Sequence, residues 1–117
     1  MPNKIDNVIK KFVSELSKLL GKRLKKVILY GSYARGDYDK NSDIDIMILT
    51  DFSDDEIIEY RKKVRDLACD LEMENDVMIS PLLRNINKYE KRVDVIPFYY
   101  NVEKEGVVLR GWGNYNK

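Results

Sequence analysis

Tyr30-Gly31-Ser32-Tyr33-Ala34-Arg35-Gly36, a polar loop, and then Ser42-Asp43-Ile44-Asp45-Ile46-Met47-Ile48-Leu49 form the stretch of this chain that decides its fold. The apolar run Val27-Ile28-Leu29-Tyr30 reads as a strand that ends at a glycine-bounded turn. Ten residues separate Ser32 from Asp43, where a second strand opens with two carboxylates one residue apart. Residues i and i+2 of a strand share a face, so Asp43 and Asp45 converge on one spot. Opposite them, the backbone donors of the Gly31-Ser32 turn are suited to phosphate oxygens. Hard divalent cations that bridge carboxylates to nucleotide phosphates use such an arrangement. Met47 and Leu49 continue the aspartate face as apolar residues, so the carboxylates stand at the end of a strand that is otherwise covered on both sides.

Working outward, Asn3 begins a helix in which Ile5, Val8, Ile9, Phe12, Val13, Leu16, Leu19 and Leu20 recur at helical spacing, and Gly21 ends it. Ser53-Asp54-Asp55-Glu56 matches a capping box, predicting a helix to about Leu71 that buries Ile57, Ile58, Val64, Leu67 and Ala68. Val77-Met78-Ile79-Ser80 reads as a third strand ended by Pro81, and Ile86 to Tyr89 as a helical turn. Pro97 suits the first turn of a last helix that Gly106 terminates; Val107-Val108-Leu109 is a short apolar finish before a polar tail, residues 110–117. The order α-β-β-α-β-α predicts a mixed α/β (α+β) fold with a small mixed sheet backed by helices, in one domain spanning 1–117.

Composition narrows the function classes. The 117 residues allow one modest core. With 21 basic and 20 acidic residues the net charge is +1, which argues against a nucleic-acid surface driven by bulk charge. No apolar run is long enough to span a bilayer, and the start of the chain is too polar for a signal peptide. One cysteine, Cys69, and no histidine point to a reducing cytoplasm and leave catalysis to carboxylates, lysine, arginine or a bound metal.

The Gly-Ser turn, spacer and Asp-x-Asp strand resemble the signature of the DNA polymerase β-like nucleotidyltransferase superfamily. With Ala34-Arg35-Gly36 and so short a chain, the sequence looks most like the minimal nucleotidyltransferases, the antitoxin partners of HEPN-domain toxins in prokaryotic toxin–antitoxin pairs. The likeness is tightest over Val27 to Leu49 and extends loosely to about Leu109. It implies a Mg²⁺-dependent transfer of AMP from ATP, with two ions expected, to a tyrosine hydroxyl on a cognate HEPN ribonuclease toxin.

In this reading Asp43 and Asp45 bind metal, and Gly31 and Ser32 hold the triphosphate. Arg35 is divided between phosphate and an ion pair with Asp37 or Asp39, and Ser42 caps the loop. The family places a third carboxylate on the neighbouring strand; Asp76 is the preferred candidate, sharing a face with Met78 and Ser80, with Glu74, Glu72 and Asp94 as competitors. The basic run Lys22, Arg23, Lys25, Lys26 reads mainly as a solvated connection, and Phe98-Tyr99-Tyr100 with Trp112 as packing or a protein-docking surface. Two rivals stand beside the enzyme: an antitoxin that silences its toxin by binding alone, and a transferase acting on a small-molecule hydroxyl.

Overall fold

The computed structural model describes residues 2–111. Helix α1, Asn3–Leu20, buries Ile5, Val8, Ile9, Phe12, Leu16 and Leu20 along one face, and a 3-10 turn, Gly21–Arg23, delivers the chain to strand β1, Leu24–Tyr30. After the one-turn helix α2, Ser32–Arg35, strand β2 runs Ile44–Thr50. Helix α3, Asp54–Asn75, opens with the anticipated capping box, Ser53 accepting from the Glu56 amide and Glu56 from the Ser53 amide. Strand β3 is Ile79–Asn85, followed by helices α4, Ile86–Arg92, and α5, Pro97–Glu105, and strand β4, Val107–Arg110.

The sheet order is β3-β2-β1-β4. β1 is antiparallel to β2 and to β4, whereas β3 is parallel to β2 because α3 forms the crossover between them. On one face, Val27, Leu29, Ile44, Ile46, Ile48, Ile79 and Leu83 pack against α1 and α3. On the other, Ile28, Met47 and Leu49 pack against Ile86, Tyr89 and Val102 from α4 and α5. Covering both faces explains the unbroken apolar run of β2, in which burial of each large aliphatic side chain contributes about 1.5–3 kcal/mol. The two aspartates belong to the second face, where the α4–α5 cover ends.

Several expectations are corrected. α3 continues past Leu71 to Asn75, so the third strand starts at Ile79 rather than Val77. Pro81 lies inside that strand instead of ending it. Because the Met78 carbonyl faces β2, where it accepts from the Ile44 amide at 2.8 Å, the alternation of a parallel ladder turns the backbone of Ile79, Pro81 and Leu83 outward. β3 is an edge strand, and a residue lacking an N–H is tolerated on its outer side. That edge is further closed: Glu72 accepts from the Ile79 amide (2.7 Å), Arg65 donates to the Ile79 carbonyl (3.2 Å), and Arg84 to the Leu83 carbonyl (2.9 Å). Ile58, expected in the core, is 66% exposed. The apolar finish after Gly106 is strand β4, and Ile86 starts a helix of seven residues. Trp112 and the tail from 112 onward lie outside the described residues.

Arg23 ties the α1–β1 connection to the start of α3 through a bidentate pair with Glu56 (2.9 and 3.0 Å) and a bond to Asp51. The guanidinium holds the Glu56 carboxyl at about 2, well below its ordinary 4.5. A carboxyl depressed in the folded state contributes stability that is present above its unfolded value and lost as pH falls through the folded one. Stability is therefore expected to decline between about 4.5 and about 2, and Glu56→Gln should flatten that part of the acid-unfolding profile in urea titrations at several pH values.

Candidate active site

Gly31 brings the turn and the strand together. Its backbone, φ 76° and ψ −155°, lies in a region that side-chain-bearing residues avoid. A Cβ at this position would overlap the Asp45 carboxylate oxygen Oδ2, so the bare Cα is what lets the carboxylate lie against the turn. The Gly31 carbonyl accepts from the amides of Ala34 (3.1 Å) and Arg35 (3.0 Å), winding residues 32–35 into one helical turn. The first N–H groups of that turn, at Ser32 and Tyr33, have no partner within it.

Register places Asp45 between Tyr30 of β1 and Ser80 of β3, with Asp43 one pleat nearer the open end and exposed. Neither carboxylate has a hydrogen bond or ion pair among the described residues. Burial, and then the neighbouring Asp43 charge, push the Asp45 carboxyl above its ordinary value, while Arg35 pulls the other way. Two like charges on one strand face with no cation in contact suit a bound divalent ion, and Mg²⁺ is commonly held by one or two carboxylates plus substrate phosphates. Burial followed by the Asp45 charge raises the Tyr30 hydroxyl to about 12, opposed by Arg84.

Arg35 pairs with Asp37 (3.1 Å) and with Glu105 of α5 (3.5 Å), the ion-pair alternative seen in the sequence with an added, distant partner. Ser42 accepts from the Asp39 amide at 2.9 Å and so pins the loop. Tyr33 stacks on Tyr38 at 4.6 Å between centroids.

Asp76 is not brought into the strand. It is the left-handed cap of α3 (φ 53°, ψ 52°), its amide bonded to the Glu72 carbonyl. The positions of the third chain segment that stand beside Asp43 and Asp45 carry Met78 and Ser80. Glu72 is committed to Arg65 (2.8 Å) and the Ile79 amide, Glu74 lies 3.9 Å from Lys11, and Asp94 follows α4 on the surface. Among the described residues no group of three or more His, Cys, Asp or Glu gathers to hold a metal ion.

Sequence reasoning missed the far wall. A cleft of about 350 Å³ lies between Tyr30, Gly31, Ser32, Arg35 and Asp45 on one side and Phe98, Asn101, Val102 and Glu105 on the other. Those last four fall at i, i+3, i+4 and i+7 of α5, a spacing that was available in the sequence as one helix face. Phe98 meets Tyr30 edge-on at 5.5 Å.

A mixed sheet with a Gly-Ser turn abutting an Asp-x-Asp strand is the arrangement that the sequence resemblance implies. The nucleotidyltransferase domain family matches residues 8–109, and the chain belongs to it. It is 38% identical over 104 residues to "Putative protein adenylyltransferase MJ0604" of Methanocaldococcus jannaschii, covering 89% of this chain and 96% of that one. A second protein of that organism, "Putative protein adenylyltransferase MJ0141", is 36% identical over 103 residues, covering 88% and 96%. The crystal structure of a toxin–antitoxin with AMP-PNP shares the fold, with a TM-score of 0.59 at 23% identity over 98% of this chain and 78% of that one.

Proposed function

We propose that this nucleotidyltransferase transfers AMP from ATP to a tyrosine hydroxyl of a protein partner, a HEPN ribonuclease toxin that the modification silences. The observation that carries this reading is the half-buried, unpaired Asp45 lying against the Gly31 turn, with Asp43 one pleat away on the same face: a place for a cation beside a place for phosphate. Support for a protein acceptor comes from the relatives named for protein adenylylation, and support for ATP and a toxin from the toxin–antitoxin with AMP-PNP.

In the reaction the acceptor oxygen bonds to the α-phosphorus, the α–β phosphoanhydride bond breaks, pyrophosphate leaves, and the hydroxyl proton passes to a carboxylate or to water. Bound Mg²⁺ would supply charge neutralisation on the triphosphate. Asp43 and Asp45 would hold it, the amides of the Gly31-Ser32 turn and the Ser32 hydroxyl would bind the phosphate tail, and the α5 face would exclude water from the cleft. The resemblance implies two ions and a third carboxylate, and Asp76, two residues before Met78, is kept for that role in this proposal. No helix among the described residues is long and apolar enough to cross a membrane; a cytoplasmic partner is part of this proposal.

Intact mass spectrometry of the natural partner, incubated with this chain, Mg²⁺ and ATP, tests the reading. A gain of AMP units that disappears in Asp43→Asn/Asp45→Asn is the expected result. An Asp76→Asn arm that loses transfer to the same extent would place Asp76 in the metal set. No gain, with the partner bound and silenced, would favour the binding-only antitoxin.

A further inference from the structure

Away from the active-site cleft, two adjoining cavities of about 520 and about 730 Å³ form a groove along the outer side of β3, between α3 and the α4–α5 pair. They share Ile58, Arg61, Leu83 and Arg84 as lining residues. The groove gathers Arg61, Lys62, Arg65, Arg84, Lys88 and Arg92, against Asp54 as the one lining carboxylate. In a chain whose net charge is +1, that concentration is local. Lys62, Arg65 and Lys88 are neutralised by Asp66, Glu72 and Asp54. Arg84 and Arg92 donate only to backbone carbonyls, and Arg61, Arg84 and Arg92 have no carboxylate partner among the described residues.

We infer that this groove docks an acidic amphipathic helix of a partner protein, its carboxylates on Arg61, Arg84 and Arg92 and its apolar side on Ile58. Three features choose this occupant. The excess of guanidinium groups calls for anions, and Arg forks match carboxylates bidentately. Ile58, 66% exposed, together with the half-buried Pro81 and Leu82 offers an apolar strip that a purely polar ligand would leave wet. The β3 edge is closed by Pro81, Glu72, Arg65 and Arg84, so an extended strand finds little backbone to pair with, and helix-in-groove docking is the mode left. Single-stranded RNA would call for exposed rings to stack its bases. The aromatic residues here do not provide them: Tyr89 is 2% exposed and Tyr99 packs on it at 4.9 Å.

The inference concerns binding and stands apart from the proposed transfer, so the test is run without nucleotide or metal. A fluorescein-labelled amphipathic peptide of Glu and Leu is titrated with the full chain and followed by anisotropy. Saturable binding that weakens with salt is expected, and Arg61→Glu/Arg92→Glu should weaken it by about tenfold or more. Both side chains are exposed. The milder Arg61→Gln/Arg92→Gln, with an unchanged melting temperature, should weaken it by less. Asp43→Asn should bind as the parent does. Absence of saturable binding, binding unaffected by either double substitution, or a labelled oligoribonucleotide that binds more tightly and displaces the peptide would each overturn the inference, the last assigning the groove to RNA.

Discussion

Asp45→Asn is expected to lower the proposed AMP transfer by a factor on the order of a hundred to a thousand while making the metal-free protein more, not less, resistant to heat. The opposite signs share one cause. Asp45 is half-buried, stands one pleat from Asp43 on the same strand face, and has no cation in contact. Its carboxyl is accordingly raised from 3.8, chiefly by burial. A carboxyl raised in the folded state lets the unfolded chain lose its proton first, so folding is penalised as pH rises through the two values and the penalty persists at neutral pH. Asn keeps the shape and removes the charge. Scanning calorimetry with and without Mg²⁺ checks this: the parent should gain melting temperature with Mg²⁺, and the variant should start higher and gain little. A variant that melts lower and still transfers AMP would remove Asp45 from the site.

Gly31→Ala should damage stability and transfer together. It forces a side chain into a backbone region that costs about 1–3 kcal/mol, and it drives a methyl group into Asp45. Relief requires displacing either the carboxylate or the turn, and the proposed phosphate site shares both. Loss of stability in urea and loss of transfer are expected together. Gly36→Ala is the control. Gly36 is also left-handed (φ 89°) but has open space around it, so its substitution should cost about 1–2 kcal/mol in stability and leave transfer largely intact. Equal loss of transfer in both variants would mean that the turn needs only its conformation, not the close approach to Asp45.

The α5 wall shows how far local pattern reaches. The start of that helix at Pro97 and its end at Gly106 were readable from proline and glycine placement. That Phe98, Asn101 and Glu105 face the Gly31 turn was not. Helical spacing defines a face but not what the face meets. Likewise the Arg35–Glu105 pair joins residues seventy positions apart, a distance that no window of sequence spans.

What the sequence by itself determined is the pair of strands around the Gly31 turn, the shared face of Asp43 and Asp45, and the capped start of α3. These are set by period-two alternation, by a glycine and by a capping box, all acting over a few residues. Only the tertiary structure decided that β3 begins at Ile79, that Pro81 is harmless there, that Asp76 caps a helix, and that cations from α3, β3 and α4 share one groove. Strand order and register settle those matters. A proline that breaks a central strand is tolerated on the outer side of an edge strand, and which strand is the edge depends on partners far along the chain.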